Sequence, residues 1–269
     1  MTQPRAIVLR SAGTNCDLEM VRGFQLAGAR TDLVHIDRLI ADPARLEEFD
    51  IIGFAGGFSY GDDLGAGRVF AVKVRERLYP ALREAANRGV AMLGVCNGFQ
   101  ALVQTGLLPG CAPGCWPVDA PPAQSVALAV NAGGRFIDDW ARVEYDDNSP
   151  CIWTAGLNDF PDVARVLPLA SGEGRFVAPD ALVEALQRSG QAPVRYLDNL
   201  NGSRGSIAGI CDPSGRIFGL MPHPDRYLDW ANHPAWTSME PGARKTDAPG
   251  LRLFRNAVDA VSSPLGTAR

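Results

Sequence analysis

Three short apolar runs rich in β-formers, Ala6–Arg10, Ile51–Ala55 and Val90–Val95, punctuate the first half of the chain, each followed by Gly, Asn or Ser where the pattern changes. Runs that are apolar throughout, rather than alternating, predict strands of a sheet covered on both faces. Apolar residues at helical spacing between them, over Asp17–Ala27 and Phe70–Arg88, predict crossover helices. The resulting β-α-β alternation favours parallel strands with right-handed connections.

The second half is less regular. Val126–Asn131, Val163–Leu167, Val194–Tyr196, Ile207–Cys211 and Ile217–Met221 read as strands, and Pro179–Arg188 as a helix. Asn-Gly and Pro-Ser-Gly between successive strands predict tight turns and therefore an antiparallel extension of the same sheet. Leu251, Phe254, Ala257, Val258 and Val261 recur at helical spacing, which places a last helix over Gly250–Val261. No linker, repeat or low-complexity segment intervenes, and the Pro/Gly-rich stretch Gly110–Pro122 reads as a long loop. The expected fold is α/β: a single-domain open, mostly parallel sheet with helices on both faces and an antiparallel extension, over residues 1–262, with 263–269 as a loose tail.

With 269 residues, 46% of them hydrophobic, the chain has ample material for a large core. A formal net charge of -4 without any long Lys/Arg run gives no footprint for nucleic acid. No apolar run approaches the length of a membrane span and the first ten residues lack a signal-like core, so the expected location is the cytoplasm. Six cysteines are too few for a disulfide scaffold in a chain this long. Cys16, Cys151 and Cys211 read as small apolar fillers. Cys111 and Cys115 have a spacing that zinc can use, but no Cys/His pair accompanies them, and no metal is expected.

Cys96 is different, because Gly94-Val95-Cys96-Asn97-Gly98 ends an apolar strand and opens a helix running to about Thr105. This is the pattern of a nucleophile elbow, in which glycines on both sides permit a sharp turn that holds the central side chain out. The first turn of the following helix would favour the thiolate. A thiolate needs a base, and there are three histidines. His35 ends a strand-like run and reads as structural; His233 precedes Pro234 in a Trp- and Asn-rich loop. His223, in Met221-Pro222-His223-Pro224-Asp225 directly after a strand, is the candidate base. Proline holds its predecessor extended, and residues two apart in extended backbone share a face, so Asp225 is the candidate partner of the imidazole. Gly56-Gly57-Phe58-Ser59-Tyr60-Gly61-Asp62 follows another strand at the edge where open α/β sheets bind ligands. The N–H groups of Gly57 and Asn97 are candidates for an oxyanion hole, and Gly56, Phe58 and Gln100 for substrate binding.

These residues, together with Gly13-Thr14-Asn15-Cys16-Asp17, Gly106-Leu107-Leu108-Pro109-Gly110, Gly172-Glu173-Gly174-Arg175 and Asn201-Gly202-Ser203, resemble class I, triad-type glutamine amidotransferases. Within that class they are similar to the glutaminase subunits of phosphoribosylformylglycinamidine synthase, over nearly the whole chain. The resemblance implies that Cys96 attacks the side-chain amide of L-glutamine, that His223 shuttles the proton, and that the ammonia passes to a synthetase subunit. It implies no cofactor in this chain, since no Walker-type loop is present; ATP and Mg belong to the synthetase partner. A small bridging subunit is the other implied partner. Asp62, Arg175 and Arg204 are candidates for glutamine or interface contacts.

Three positions depart from the family's usual pattern: Asp225 stands for Glu, Ser171 for His and Leu200 for Pro. The stretch Tyr227–Pro249 resembles longer, fused members. The alternative readings are another Cys-His hydrolase on a similar sheet, against which the Gly-Phe-Ser-Tyr-Gly-Asp and Gly-Glu-Gly-Arg segments argue, and a non-catalytic scaffold, which would not need Cys96 and His223.

Overall fold

A computed structural model describes residues 3–239, 241–244 and 246–263. The first half follows the predicted alternation. β1 (Arg5–Arg10), α1 (Asp17–Leu26), β2 (Arg30–His35), α2 (Ile36–Ala41), β3 (Ile51–Phe54), α3 (Arg68–Arg77), α4 (Tyr79–Asn87), β4 (Ala91–Val95) and α5 (Asn97–Gln104) succeed one another. After a long loop come β5 (Ala127–Ala129), β6 (Ile137–Tyr145), β7 (Val166–Ser171), β8 (Arg175–Val177), α6 (Asp180–Arg188), β9 (Val194–Tyr196), β10 (Ile207–Cys211), β11 (Ile217–Leu220) and α7 (Pro249–Ser262).

One nine-stranded sheet, in the order β2-β1-β3-β4-β11-β10-β9-β6-β7, runs through both halves. The strands β2, β1, β3, β4 and β11 are mutually parallel, and from β10 outward the pairing is antiparallel. The helices cover both faces. A Cβ placed on Gly53 would meet Met20 and Phe24 of α1, whereas the next residue, Phe54, packs edge-on against Phe70 of α3. Neighbouring strand residues point to opposite faces, so α1 and α3 lie on opposite sides. On the α1 side Phe24 stacks edge-on against Phe254 of α7, with ring centroids 4.9 Å apart, and docks the C-terminal helix.

Several expectations need correction. Phe70–Arg88 is two helices, α3 and α4, because Pro80 has no N–H to donate and sits in the first turn of the second helix. Val126–Asn131 does not extend the main sheet; its core, β5, pairs only with β8 in a separate two-stranded ribbon. The strand placed at Val163–Leu167 begins at Val166, since Asp162–Ala164 is a 3₁₀ turn. Asn201-Gly202 is no hairpin turn but part of the loop 197–206 between β9 and β10. Pro213-Ser214-Gly215 does make the β10–β11 turn, with the Asp212 carboxylate accepting from the N–H groups of Ser214, Arg216 and Ile217. The tail assigned to 263–269 lies, beyond Ser263, outside the described residues. Among the described residues no helix is long and apolar enough to cross a membrane.

Candidate active site

The carboxyl ends of β3, β4 and β11 lie side by side in the parallel part of the sheet, and each delivers one part of the site. At the end of β4 the chain turns at Cys96, which has φ 52° and ψ −107°, a conformation rarely tolerated by a residue with a Cβ. The flanking glycines are steric requirements. A Cβ on Gly94 would lie 2.7 Å from the carbonyl oxygen of Gly98, and one on Gly98 would lie 1.9 Å from the carbonyl oxygen of Phe54. The Cys96 N–H donates to Leu220 O at 2.9 Å, which fastens the elbow to β11, and Gln100 N–H donates to Cys96 O as α5 begins.

β11 ends at Leu220, and His223 is pinned by donation of its N–H to Pro168 O of β7 at 2.7 Å. The backbone beyond it is not extended as expected: Pro224–Arg226 forms a 3₁₀ turn. Asp225 still reaches the imidazole, because the turn folds its carboxylate back, with Oδ1 3.3 Å from Nδ1 and both side chains buried. Burial opposes the charged imidazolium, but Asp225 first and a Cys96 thiolate second outweigh it and raise the His223 pKa well above the ordinary range. Gly56 separates base and nucleophile. A Cβ there would lie 2.9 Å from His223 Cε1 and 3.4 Å from Cys96 Cβ, so the absence of a side chain is what lets the two face each other.

Gly57 has φ 133° and sits opposite Thr14 in an isolated antiparallel bridge, flanked by the Phe58 N–H to Gly13 O bond. Residues paired in this non-bonded register direct their own N–H groups away from the ladder. Asn97 opens α5, so its N–H is not used by the helix. The Asn97 side chain ties the site together: Nδ2 donates to Asp62 Oδ1 and Gln100 Oε1, and Oδ1 accepts from Ser59 N–H. Burial raises the pKa of Asp62, against the bonds it accepts from Gly67 and Asn97.

A cavity of about 430 Å³ opens on these groups, within the range of small-molecule sites. Cys96, His223, Gly57, Phe58 and Gln100 line it together, with Phe58 half exposed at its mouth. Gln100 is buried, and its amide is already engaged by Glu173 O and Asn97. Asp62 also lines the cavity. Arg175 and Arg204 do not: Arg175 donates to Val130 O, and Arg204 is paired with Asp180. His35 caps α2 by accepting from Asp37 N–H, the structural role expected of it, and His233 is buried between Val163 O and Ala235 N–H, in a packing role away from the site.

Sequence reasoning missed Asp138 and Phe136, which line the cavity, and misread Cys16 as a filler. Cys16 is buried, but its Sγ accepts from Arg226 Nη2 at 3.1 Å, and its thiol is directed to Asn15 Oδ1 at 3.2 Å. Its sulfur, an imidazole nitrogen of His223 and a carboxylate oxygen of Asp225 all lie within 4.8 Å of one another. Cys151 and Cys211 are buried as expected. Cys111 and Cys115 belong to no group of three such side chains among the described residues. Glu173 lines the cavity from the Gly172–Arg175 segment, which the sequence singled out by resemblance alone.

The family model described as a CobB/CobQ-like glutamine amidotransferase domain matches residues 3–261. Phosphoribosylformylglycinamidine synthase subunit PurQ of Dehalococcoides mccartyi is 40% identical over 265 residues, covering 96% of this chain and 98% of that one. The subunit of the same name from Mycobacterium tuberculosis is 38% identical over 260 residues, 94% of this chain and 96% of its own. Among solved structures, PurLQS from Thermotoga maritima contains a chain that matches with a TM-score of 0.68 at 30% identity, covering 96% of this chain and 99% of that one.

Proposed function

The chain belongs to the CobB/CobQ-like glutamine amidotransferase family, and from that premise we propose that it hydrolyses L-glutamine through Cys96 as the glutaminase subunit of phosphoribosylformylglycinamidine synthase. The observation that carries the chemistry is a cysteine held in a left-handed elbow at the floor of a cavity that also receives a buried His-Asp pair.

His223 takes the thiol proton, and Cys96 Sγ attacks the side-chain amide carbon of glutamine. The charge that moves onto the carbonyl oxygen is met by the N–H groups of Gly57 and Asn97, each contributing roughly 3 kcal/mol. The His223 imidazolium returns its proton to the amide nitrogen, the C–N bond breaks, and ammonia leaves a γ-glutamyl thioester. Water, deprotonated by the now neutral His223, hydrolyses the thioester to glutamate and restores the thiol. Asp225 stabilises the imidazolium in both steps. Glu173 and Asp138 on the cavity wall supply negative charge for the α-ammonium of the substrate.

The ammonia is consumed by a synthetase subunit that makes formylglycinamidine ribonucleotide in purine biosynthesis, with ATP and Mg held by that partner and no cofactor in this chain. The PurLQS assembly supports association with a synthetase subunit and a smaller bridging subunit. The role proposed for the chain is a cytoplasmic one. The test is the assembled complex carrying Cys96→Ala: glutamine-dependent synthesis is lost while ammonia-dependent synthesis persists. Equal loss of both, or neither, sinks the assignment of Cys96.

A further inference from the structure

We propose that Cys16, His223 and Asp225 form a divalent-metal site that takes Zn²⁺ and, when filled, switches off the base of the proposed glutaminase. Three ligand types that suit zinc, a thiol, an imidazole and a carboxylate, are buried with their donor atoms within 4.8 Å of one another. A tetrahedral ion with bonds of roughly 2.0–2.3 Å has ligand–ligand edges of about 3.3–3.8 Å. The Nδ1–Oδ1 separation of 3.3 Å already has that length, and shifts of about 1 Å close the remaining edges.

An independent observation points to the same place. Nδ1 of His223 and both carboxylate oxygens of Asp225 are buried without a hydrogen-bond partner among the described residues, although the two groups are neighbours. Unpartnered buried polar atoms are costly and rare, and a cation between the two groups would satisfy Nδ1 and one of the carboxylate oxygens. Arg226 Nη2 already donates to Cys16 Sγ at 3.1 Å and can keep donating to the sulfur once the metal is bound. Cys16 and His223 both face the cavity, which gives the ion a route in and room for a fourth ligand from solvent.

The consequence follows from the ring's electron count. An imidazole with its Nδ1 lone pair bound to metal carries its single proton on Nε2, so neither nitrogen can accept the proton of Cys96. Loading releases the Cys16 thiol proton, and that of the imidazolium where His223 is charged. The site itself stands apart from the glutaminase reading; only the inhibition rests on it.

The experiment titrates the purified full-length chain with Co²⁺, whose thiolate-to-cobalt charge-transfer band reports a sulfur ligand, and with Zn²⁺ against a chromophoric chelator. Wild type and Cys96→Ser are expected to show the band, and Cys16→Ser to lose it and bind Zn²⁺ about 100-fold more weakly, at least the loss seen for supporting residues of metal sites. Glutamate release by the complex should fall with Zn²⁺ at the occupancy read from the chelator and recover on chelation. A band that persists in Cys16→Ser, one lost in Cys96→Ser, or no band in wild type overturns the site. Binding through Cys16 without inhibition leaves the site standing and removes the role assigned to His223.

Discussion

Nδ1 of His223 lies 3.3 Å from Oδ1 of Asp225, both groups are buried, and yet neither makes a hydrogen bond of acceptable geometry. The charge of Asp225 is the larger part of its hold on the imidazole. A glutamate, the residue usual in the resembling family, is one bond longer, about 1.5 Å, and would close that gap. Asp225→Asn keeps the volume and removes the charge, and glutamate release should fall roughly 10²–10⁴-fold, as in triads whose acid is neutralised. Asp225→Glu should match or exceed wild type in kcat while costing about 1–3 kcal/mol of stability through overpacking. A glutamate variant as inactive as the asparagine one would show that the charge is not what His223 needs.

The same pair sets a pH dependence of stability. In the unfolded chain an imidazole titrates near pH ~6.5. In the fold, burial disfavours the charge but Asp225 and Cys96 more than offset it, so His223 keeps its proton to a higher pH. Between those two values the folded chain holds more protons than the unfolded one, and stability falls as pH rises through that window. Below it both states are protonated and the contribution is complete. The urea midpoint should therefore decline as pH rises above the ordinary imidazole value of about 6.5, and His223→Gln should flatten the decline. An unchanged slope in the variant would assign the effect to another group.

The elbow was legible in the sequence because its physical demand falls on local residues: Gly94 and Gly98 are where a Cβ would strike neighbouring atoms. The parallel half was legible because strands covered on both faces are apolar throughout. β6 was not, since Asp138 and Asp139 at its start are both exposed and interrupt the pattern, and only its later residues alternate into the core. The pairing of His223 with Asp225 came from residue type and spacing, but the backbone that achieves it is a 3₁₀ turn rather than an extended segment. Cys16 was out of reach altogether. Its setting depends on Arg226, 210 positions away, and no local pattern encodes that contact.

Charge on the cavity wall yields an expectation about substrate binding. Asp138 and Glu173 line the cavity with Cys96, and Arg226, which lines it as well, is engaged by Cys16. Glu173→Gln removes a carboxylate from the α-ammonium of glutamine without touching nucleophile or base. KM for glutamine should rise roughly tenfold to a hundredfold, the worth of one charge-assisted hydrogen bond, with kcat within about twofold of wild type. A matching fall in kcat with KM unchanged would move Glu173 from binding to the chemical steps.

The strain at Cys96 has a measurable cost. A non-glycine residue at φ 52° and ψ −107° stores of order 1–3 kcal/mol, which the glycine-lined crossing of β3, β4 and α5 must hold in place. Glycine at this position would relieve that strain at an entropic cost of about 0.5–1 kcal/mol. Cys96→Ala retains the strain and loses the same thiol contacts, so it is the proper reference. Cys96→Gly should be more stable than Cys96→Ala by about 0.5–2 kcal/mol in urea unfolding, the reverse of the order found in an ordinary helix or strand. Both variants should be inactive with glutamine. If the glycine variant proves the less stable, the elbow is not strained, and the placement of Cys96 on the cavity wall must come from packing around Gly94 and Gly98 alone.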